Sequence, residues 1–186
     1  MWSINVTMKT SKDVRKRPNI LVTGVPGTGK STFAPKIAEK CGLTFMDINK
    51  MILEFKLHSG YDNDYKSFIL DEDKLLDHLE EYFDETHLEG GLVIDYHACD
   101  FFPERWFDIV VVLRCDNTQL YDRLKTRNYS EKKLRENIEC EIFGTIAEEA
   151  EDAYKEGVVH QLQNSTLEEL EKNLETIGQL VVNYKA

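Results

Sequence analysis

Five short apolar runs punctuate an otherwise polar chain, and each reads as a strand. Ile20-Leu21-Val22, Leu92-Val93-Ile94 and Ile109-Val110-Val111-Val112-Leu113 are continuous apolar segments, the pattern of strands buried on both faces. Leu43 to Met46 and Val158-Val159 are weaker instances. Between them the polarity turns helical. Phe33, Ile37 and Cys41 share one face of a helix that carries Pro35 early and is stopped by Gly42. Residues 48–58, 71–88, 117–126 and 131–155 read as further helices, with the acidic, aromatic stretch Tyr61-Asp62-Asn63-Asp64-Tyr65 between the first two of these. Ser165-x-x-Glu168 has the form of a capping box for a last helix reaching about Tyr184. Strands alternating with helices imply an α/β fold, a parallel sheet covered on both faces, with ligands at the carboxyl ends of the strands.

Composition narrows the function classes. Over 186 residues, 34 Asp and Glu against 23 Lys and Arg leave a formal charge of −11, which argues against broad electrostatic binding to nucleic acid or anionic membrane. The acidic cluster Glu148, Glu149, Glu151 and Asp152 reads as a solvated helix face, with a docking surface for a basic partner as the alternative. No apolar run approaches the roughly 20 residues of a membrane span. Residues 1–17 read as a polar, solvated extension ending in Arg15-Lys16-Arg17, without the apolar stretch of a secretory signal. Cys41, Cys99, Cys115 and Cys140 form no C-x-x-C pair, so they read as reduced, small apolar fillers of a cytosolic or nuclear protein.

The first apolar run leads directly into Gly24-Val25-Pro26-Gly27-Thr28-Gly29-Lys30-Ser31, a complete G-x-x-x-x-G-K-[ST] phosphate loop with the strand before it and the helix after it that the motif requires. Backbone amides wrap the phosphates, side chains at the glycines would block them, and the helix N-terminus adds positive potential. Gly27, Thr28, Gly29, Lys30, Ser31 and Thr32 are therefore the candidate ATP contacts, with Lys30 on the β- and γ-phosphates and the Ser31 hydroxyl on Mg2+. Asp95 ends an apolar strand, where a carboxylate needs a partner for its charge. Mg2+ fits that need, and a helix-capping Asp is the alternative. His97, on the same rim, either orients or deprotonates a water or bonds loop backbone. Arg123 and Arg127 share a helix face before the polar stretch Asn128 to Asn137. They serve either the moving phosphoryl charge or surface ion pairs with Asp122 and Glu131.

Taken in order, the phosphate loop, Ile94-Asp95-Tyr96-His97, Cys99-Asp100-Phe101-Phe102-Pro103-Glu104-Arg105-Trp106-Phe107, Leu120-Tyr121-Asp122-Arg123-Leu124 and Asn137-Ile138-Glu139-Cys140-Glu141-Ile142-Phe143 resemble the adenylate kinase isoenzyme 6, or coilin-interacting nuclear ATPase, family. The resemblance covers residues 18–186 and implies a three-layer P-loop NTPase fold of the adenylate kinase type. Such a fold has a five-stranded parallel sheet, a nucleoside-monophosphate-binding insert at about 47–70 and a short lid at about 126–136. It further implies that Arg127 contacts ATP, that Arg123 is the first arginine of the lid pair, and that His97 supports ATPase activity. The reaction implied is ATP·Mg2+ to AMP or another nucleoside monophosphate. The family's nuclear and cytoplasmic location and its small-subunit ribosomal protein partner, serving ribosomal RNA maturation, are implied as well. The stretch Asn49-Lys50-Met51-Ile52-Leu53 departs from the Gly-Asp pair and nearby arginine of wider adenylate kinases, and Ala98 replaces a glycine. An assembly ATPase with little AMP kinase activity and a nucleotide-dependent scaffold are the competing readings.

Overall fold

A computed structural model describes residues 15–85, 89–127 and 129–185. The expected strands β1 (Ile20–Thr23) and β2 (Thr44–Asp47) flank helix α1 (Lys30–Cys41), and α2 (Ile48–Glu54) follows β2 at once. A hairpin of β3 (His58–Asp62) and β4 (Ser67–Leu70) leads to α3 (Glu72–Glu85), β5 (Leu92–Asp95), a 3-10 turn (Glu104–Trp106) and β6 (Ile109–Arg114). Helices α4 (Asn117–Thr126), α5 (Glu131–Phe143) and α6 (Thr145–Ala153), strand β7 (Val159–Gln163) and helix α7 (Leu167–Asn183) complete the chain.

The main sheet has the order β2-β5-β1-β6-β7, all parallel, with β1 in the middle. Alternate residues of its strands feed two cores. Ile20, Val22, Val93, Val111 and Leu113 pack under α1 and α7, where Phe33, Ile37, Leu174 and Ile177 are buried. Leu21, Ile94, Val110 and Val112 pack on the other face with Leu75, Leu79 and Phe83 of α3 and a stacked Phe83–Trp106 pair 4.3 Å apart. Burying both faces is why these strands carry no polar alternation. At the amino edge the buried Asn19 ties three strands together: its side chain donates to Trp106 O and accepts from Leu92 N, both at 3.0 Å, and its amide donates to Asp108 at 2.9 Å.

The structure corrects several expectations. The helix expected over 48–58 stops at Glu54. Lys56 adopts a left-handed φ of 55°, and a β-hairpin, not among the expected strands, forms around the acidic, aromatic stretch. The helix expected over 71–88 runs Glu72–Glu85, and residues 86–88 lie outside the described ones. The helix expected over 131–155 is two, broken at Gly144 (φ 71°), whose amide closes α5 while its carbonyl opens α6. Pro35 sits past the first turn of α1, so the Ser31 carbonyl lacks its usual helical donor. The capping box lies one residue on from the expected Ser165 and Glu168: Glu169 N donates to Thr166 Oγ1 while the Glu169 carboxylate accepts from Thr166 N, both at 3.1 Å. Arg15 is no solvated tail residue but pairs with Asp108 at 3.1 Å, and Arg17 bridges to Gly90. Residues 1–14 lie outside the described residues.

Candidate functional site

Strand β1 ends in the phosphate loop and its neighbour β5 ends at Asp95, with Val22 and Asp95 paired across the ladder. The loop's glycines answer to geometry. Gly24 has φ 134° and a side chain there would strike the Leu113 carbonyl. Gly29 has φ 101° and a Cβ there would lie 2.5 Å from Asn164 Nδ2. Thr28 turns inward, its hydroxyl donating to Val25 O at 2.9 Å. Lys30 Nζ folds over the loop and donates to Gly24 O (2.7 Å) and Val25 O (3.2 Å), a preformed position from which it can exchange carbonyls for phosphate oxygens. Burial lowers its pKa to about 8, opposed by Asp95 and helped by Arg127.

The loop opens into a cleft of about 800 Å³. Its lining includes Lys30, Ser31, Thr32, Asp95, His97 and Arg127. Ile52 and Leu53 of α2 and Phe68 and Leu70 of the hairpin line it too. Tyr65, at the hairpin turn, reaches across to α5. Its hydroxyl bonds Glu136 at 3.1 Å, and Lys133 Nζ donates to its carbonyl at 2.9 Å. Lys133, Glu136 and Asn137 share the cleft face of α5, so the polar stretch expected as a mobile lid is helical from Glu131. Asn128 is outside the described residues.

Asp95 is 2% exposed and its buried Oδ1 has no hydrogen-bond partner. Burial raises its pKa, then the negative charge of Asp47, against Lys30 and a Ser31 hydrogen bond. A buried carboxylate oxygen without a donor, beside a serine hydroxyl, fits a hard divalent cation, which takes oxygen ligands. The His97 ring lies 4.4 Å from that of Tyr96 and opens onto the cleft. The ring is exposed at the cleft mouth, and partial loss of hydration, then the charges of Lys30 and Lys133, lower its pKa.

Residues 20–144 match the AAA domain family. The adenylate kinase isoenzyme 6 homologue of Caenorhabditis elegans is 55% identical over 173 residues, 93% of this chain and 94% of that one. The chain belongs to the adenylate kinase isoenzyme 6 family. The Drosophila melanogaster homologue is 50% identical over 161 residues (87% and 90% of the two chains), and the Saccharomyces cerevisiae homologue FAP7 41% over 164 (88% and 81%). Among solved structures, a shikimate kinase from Bacteroides thetaiotaomicron (TM-score 0.54, 16% identity, 89% and 98% covered) and a gluconokinase from Sinorhizobium meliloti 1021 (0.54, 19%, 91% and 96%) share the P-loop kinase fold.

Within this family frame most residues expected from sequence meet at one cleft: Gly27, Gly29, Lys30, Ser31, Thr32, Asp95, His97 and Arg127 all line it. Thr28 and Arg123 do not. Arg123 stands behind the loop, its guanidinium donating to Gly27 O at 3.0 Å, to Asn164 O at 3.5 Å and to Ser165 O. With its donors directed at these carbonyls and at the Cys115 sulfur (3.4 Å), it braces the loop and is not among the residues lining the cleft. Sequence reasoning missed the second brace: Asn164 Nδ2 donates to Thr28 O at 2.8 Å, itself backed by Asn173 of α7 at 3.3 Å. It also missed Tyr65, Phe68 and Lys133. An asparagine directly after a strand on the loop's own edge was the available signal for Asn164.

Proposed function

We propose that this protein is a nucleoside monophosphate kinase that moves the γ-phosphoryl of ATP to AMP (ATP + AMP = 2 ADP), with a side ATPase activity. The observation that carries this reading is a single cleft lined both by the phosphate loop, Asp95 and Arg127 and by the apolar side chains of Ile52, Leu53, Phe68 and Leu70. The first group suits a triphosphate and the second a nucleobase. Lys30 and Arg127 would offset charge spreading over the transferred group, and Arg123 would hold the loop in place. Mg2+, held by Ser31 and Asp95, would add neutralisation of the phosphate oxygens. Contact between the hairpin and α5 would exclude water, favouring transfer over hydrolysis. His97, on the cleft rim, would orient a water when no acceptor is bound.

One observation favours a second reading, an assembly ATPase. The acceptor wall, from Asn49 through Leu70, presents no arginine or lysine among the residues that line the cleft, although an acceptor phosphate calls for a cation. In that reading the net charge of −11 suits a basic small-subunit ribosomal protein, bound in nucleus and cytoplasm during ribosomal RNA maturation. The test is ADP and phosphate release from ATP and magnesium, with and without AMP, against Lys30→Ala. ADP formed only with AMP supports the kinase. Phosphate release indifferent to AMP but stimulated by the basic partner replaces it with the ATPase.

A further inference from the structure

Asp47 ends β2 as Asp95 ends β5, and the parallel register pairs the two residues directly. Adjacent strands lie about 4.8 Å apart, and paired positions on them point to the same face. The face is fixed by the residues two positions earlier: Phe45 and Val93 both pack in the core beneath α1. Asp47 and Asp95 therefore project together on the α1 side, where Ser31 stands in that helix's first turn. Asp95 is buried with Oδ1 unpartnered. Asp47 uses Oδ1 to accept from Lys50 N at 3.0 Å, capping α2, and Oδ2 makes no hydrogen bond among the described residues. The nearest strong cation, Lys30, is directed at the carbonyls of Gly24 and Val25. Asp47 is exposed to water, and the costly member is Asp95, buried with a free oxygen beside a second carboxylate and with no bonded cation, unless an ion joins them.

We infer that Asp47 and Asp95 form a two-carboxylate seat for a divalent cation. Asp95 and the Ser31 hydroxyl would supply oxygens to the ion, and Asp47, paired beside Asp95, would add the second negative charge that holds it. The inference rests on the Mg·ATP reading above and extends it to a residue outside the phosphate-loop motif. Magnesium suits this arrangement, since it keeps several waters and binds through one or two carboxylates plus substrate phosphates. Asp47 thus couples the cation to the start of α2, the first element of the acceptor wall.

Asp47→Asn isolates the charge, because asparagine caps a helix as well as aspartate does, and Asp47→Ser is a second cap-preserving variant. The full-length protein, both variants and Asp95→Asn are titrated with Mn2+ in the presence of saturating non-hydrolysable ATP analogue, with bound Mn2+ read by electron paramagnetic resonance. A fluorescent ATP analogue reports metal-free nucleotide affinity, and thermal melting reports folding. The expected result is Mn2+ held about tenfold more weakly by both Asp47 variants, at unchanged nucleotide affinity and melting temperature. Wild-type Mn2+ affinity in both variants overturns the seat and leaves Asp47 a helix cap. Nucleotide binding that tightens while Mn2+ affinity stays constant overturns it too, showing Asp47 only to repel phosphate. A wild type that holds Mn2+ no better than the free analogue does removes the Mg·ATP reading along with the seat.

Discussion

Replacing Arg123 with alanine separates a residue that shapes the phosphate loop from one that acts on the phosphate. The substitution removes donors from Gly27 O and Ser165 O, together with the marginal 3.5 Å contact to Asn164 O. Hydrogen bonds from a charged donor contribute about 1.5–3 kcal/mol each, and two of them, discounted for the half-buried setting, give about 3 kcal/mol. For a chain of 186 residues that loss corresponds to a fall in melting temperature of about 6–12 °C. The freed loop also binds nucleotide less well, by about tenfold for each 1.4 kcal/mol that its disorder costs. Differential scanning calorimetry with and without ATP, beside steady-state ADP formation, measures both effects. Arg123→Lys recovers part of each, since one ammonium still reaches a carbonyl. An unchanged melting temperature with kcat reduced about 10³-fold or more, the signature of an arginine on the transferring group, would refute the positioning role.

Other expectations bear on separate parts of the cleft and its supports. Gly29→Ala forces a Cβ against Asn164 at a φ of 101°, so it costs about 1–3 kcal/mol and abolishes binding of a fluorescent ATP analogue; retained binding would show that the loop yields. Glu141 is 3% exposed and accepts from Arg114 Nε (2.7 Å) and Cys115 N (3.0 Å), so Glu141→Ala should destabilise by about 3 kcal/mol by urea denaturation, with Arg114 left half-paired. The Lys30 pKa is lowered in the folded protein to about 8 from 10.5. Between those pH values the unfolded chain binds more protons, so stability of the nucleotide-free protein rises with pH, relative to Lys30→Met, by up to about 1.4 kcal/mol per unit. A flat difference between the two melting curves contradicts that sign. Tyr65→Phe deletes the hydroxyl bond to Glu136, a loss of about 1 kcal/mol, read as faster amide exchange across the hairpin at an unchanged global melting temperature.

The central strands were legible because both of their faces are covered: runs such as Ile109 to Leu113 leave no other way to bury so much apolar surface. The hairpin was not, because it packs on little of the core. Tyr61, Phe68 and Ile69 stay exposed, so its apolar positions follow no single face, and the glycine and turn residues mimic a loop. Gly144 was hidden inside a helical pattern that continues on both sides of it. The break is set by tertiary contact, with the Arg114 guanidinium lying against the glycine while its donors hold Glu141. The capping box slipped by one residue because Ser165 and Thr166 both satisfy the spacing, and Ser165 is drawn instead to Asp116 N at 2.9 Å. Lys30, Ser31 and Asp95 could be read from sequence since each sits beside its strand. Tyr65 and Lys133 are 68 positions apart, and no local pattern announces that they meet.

Asp108 gathers both ends of the described chain at the amino edge of the sheet, receiving Arg15 at 3.1 Å and the Tyr184 hydroxyl at 3.0 Å. The phosphate loop and Asp95 occupy the opposite pole. A surface tether, affinity handle or fluorophore attached near residue 15 or residue 184 is therefore held away from the nucleotide entrance, and protein immobilised through either point keeps its cleft facing the solution.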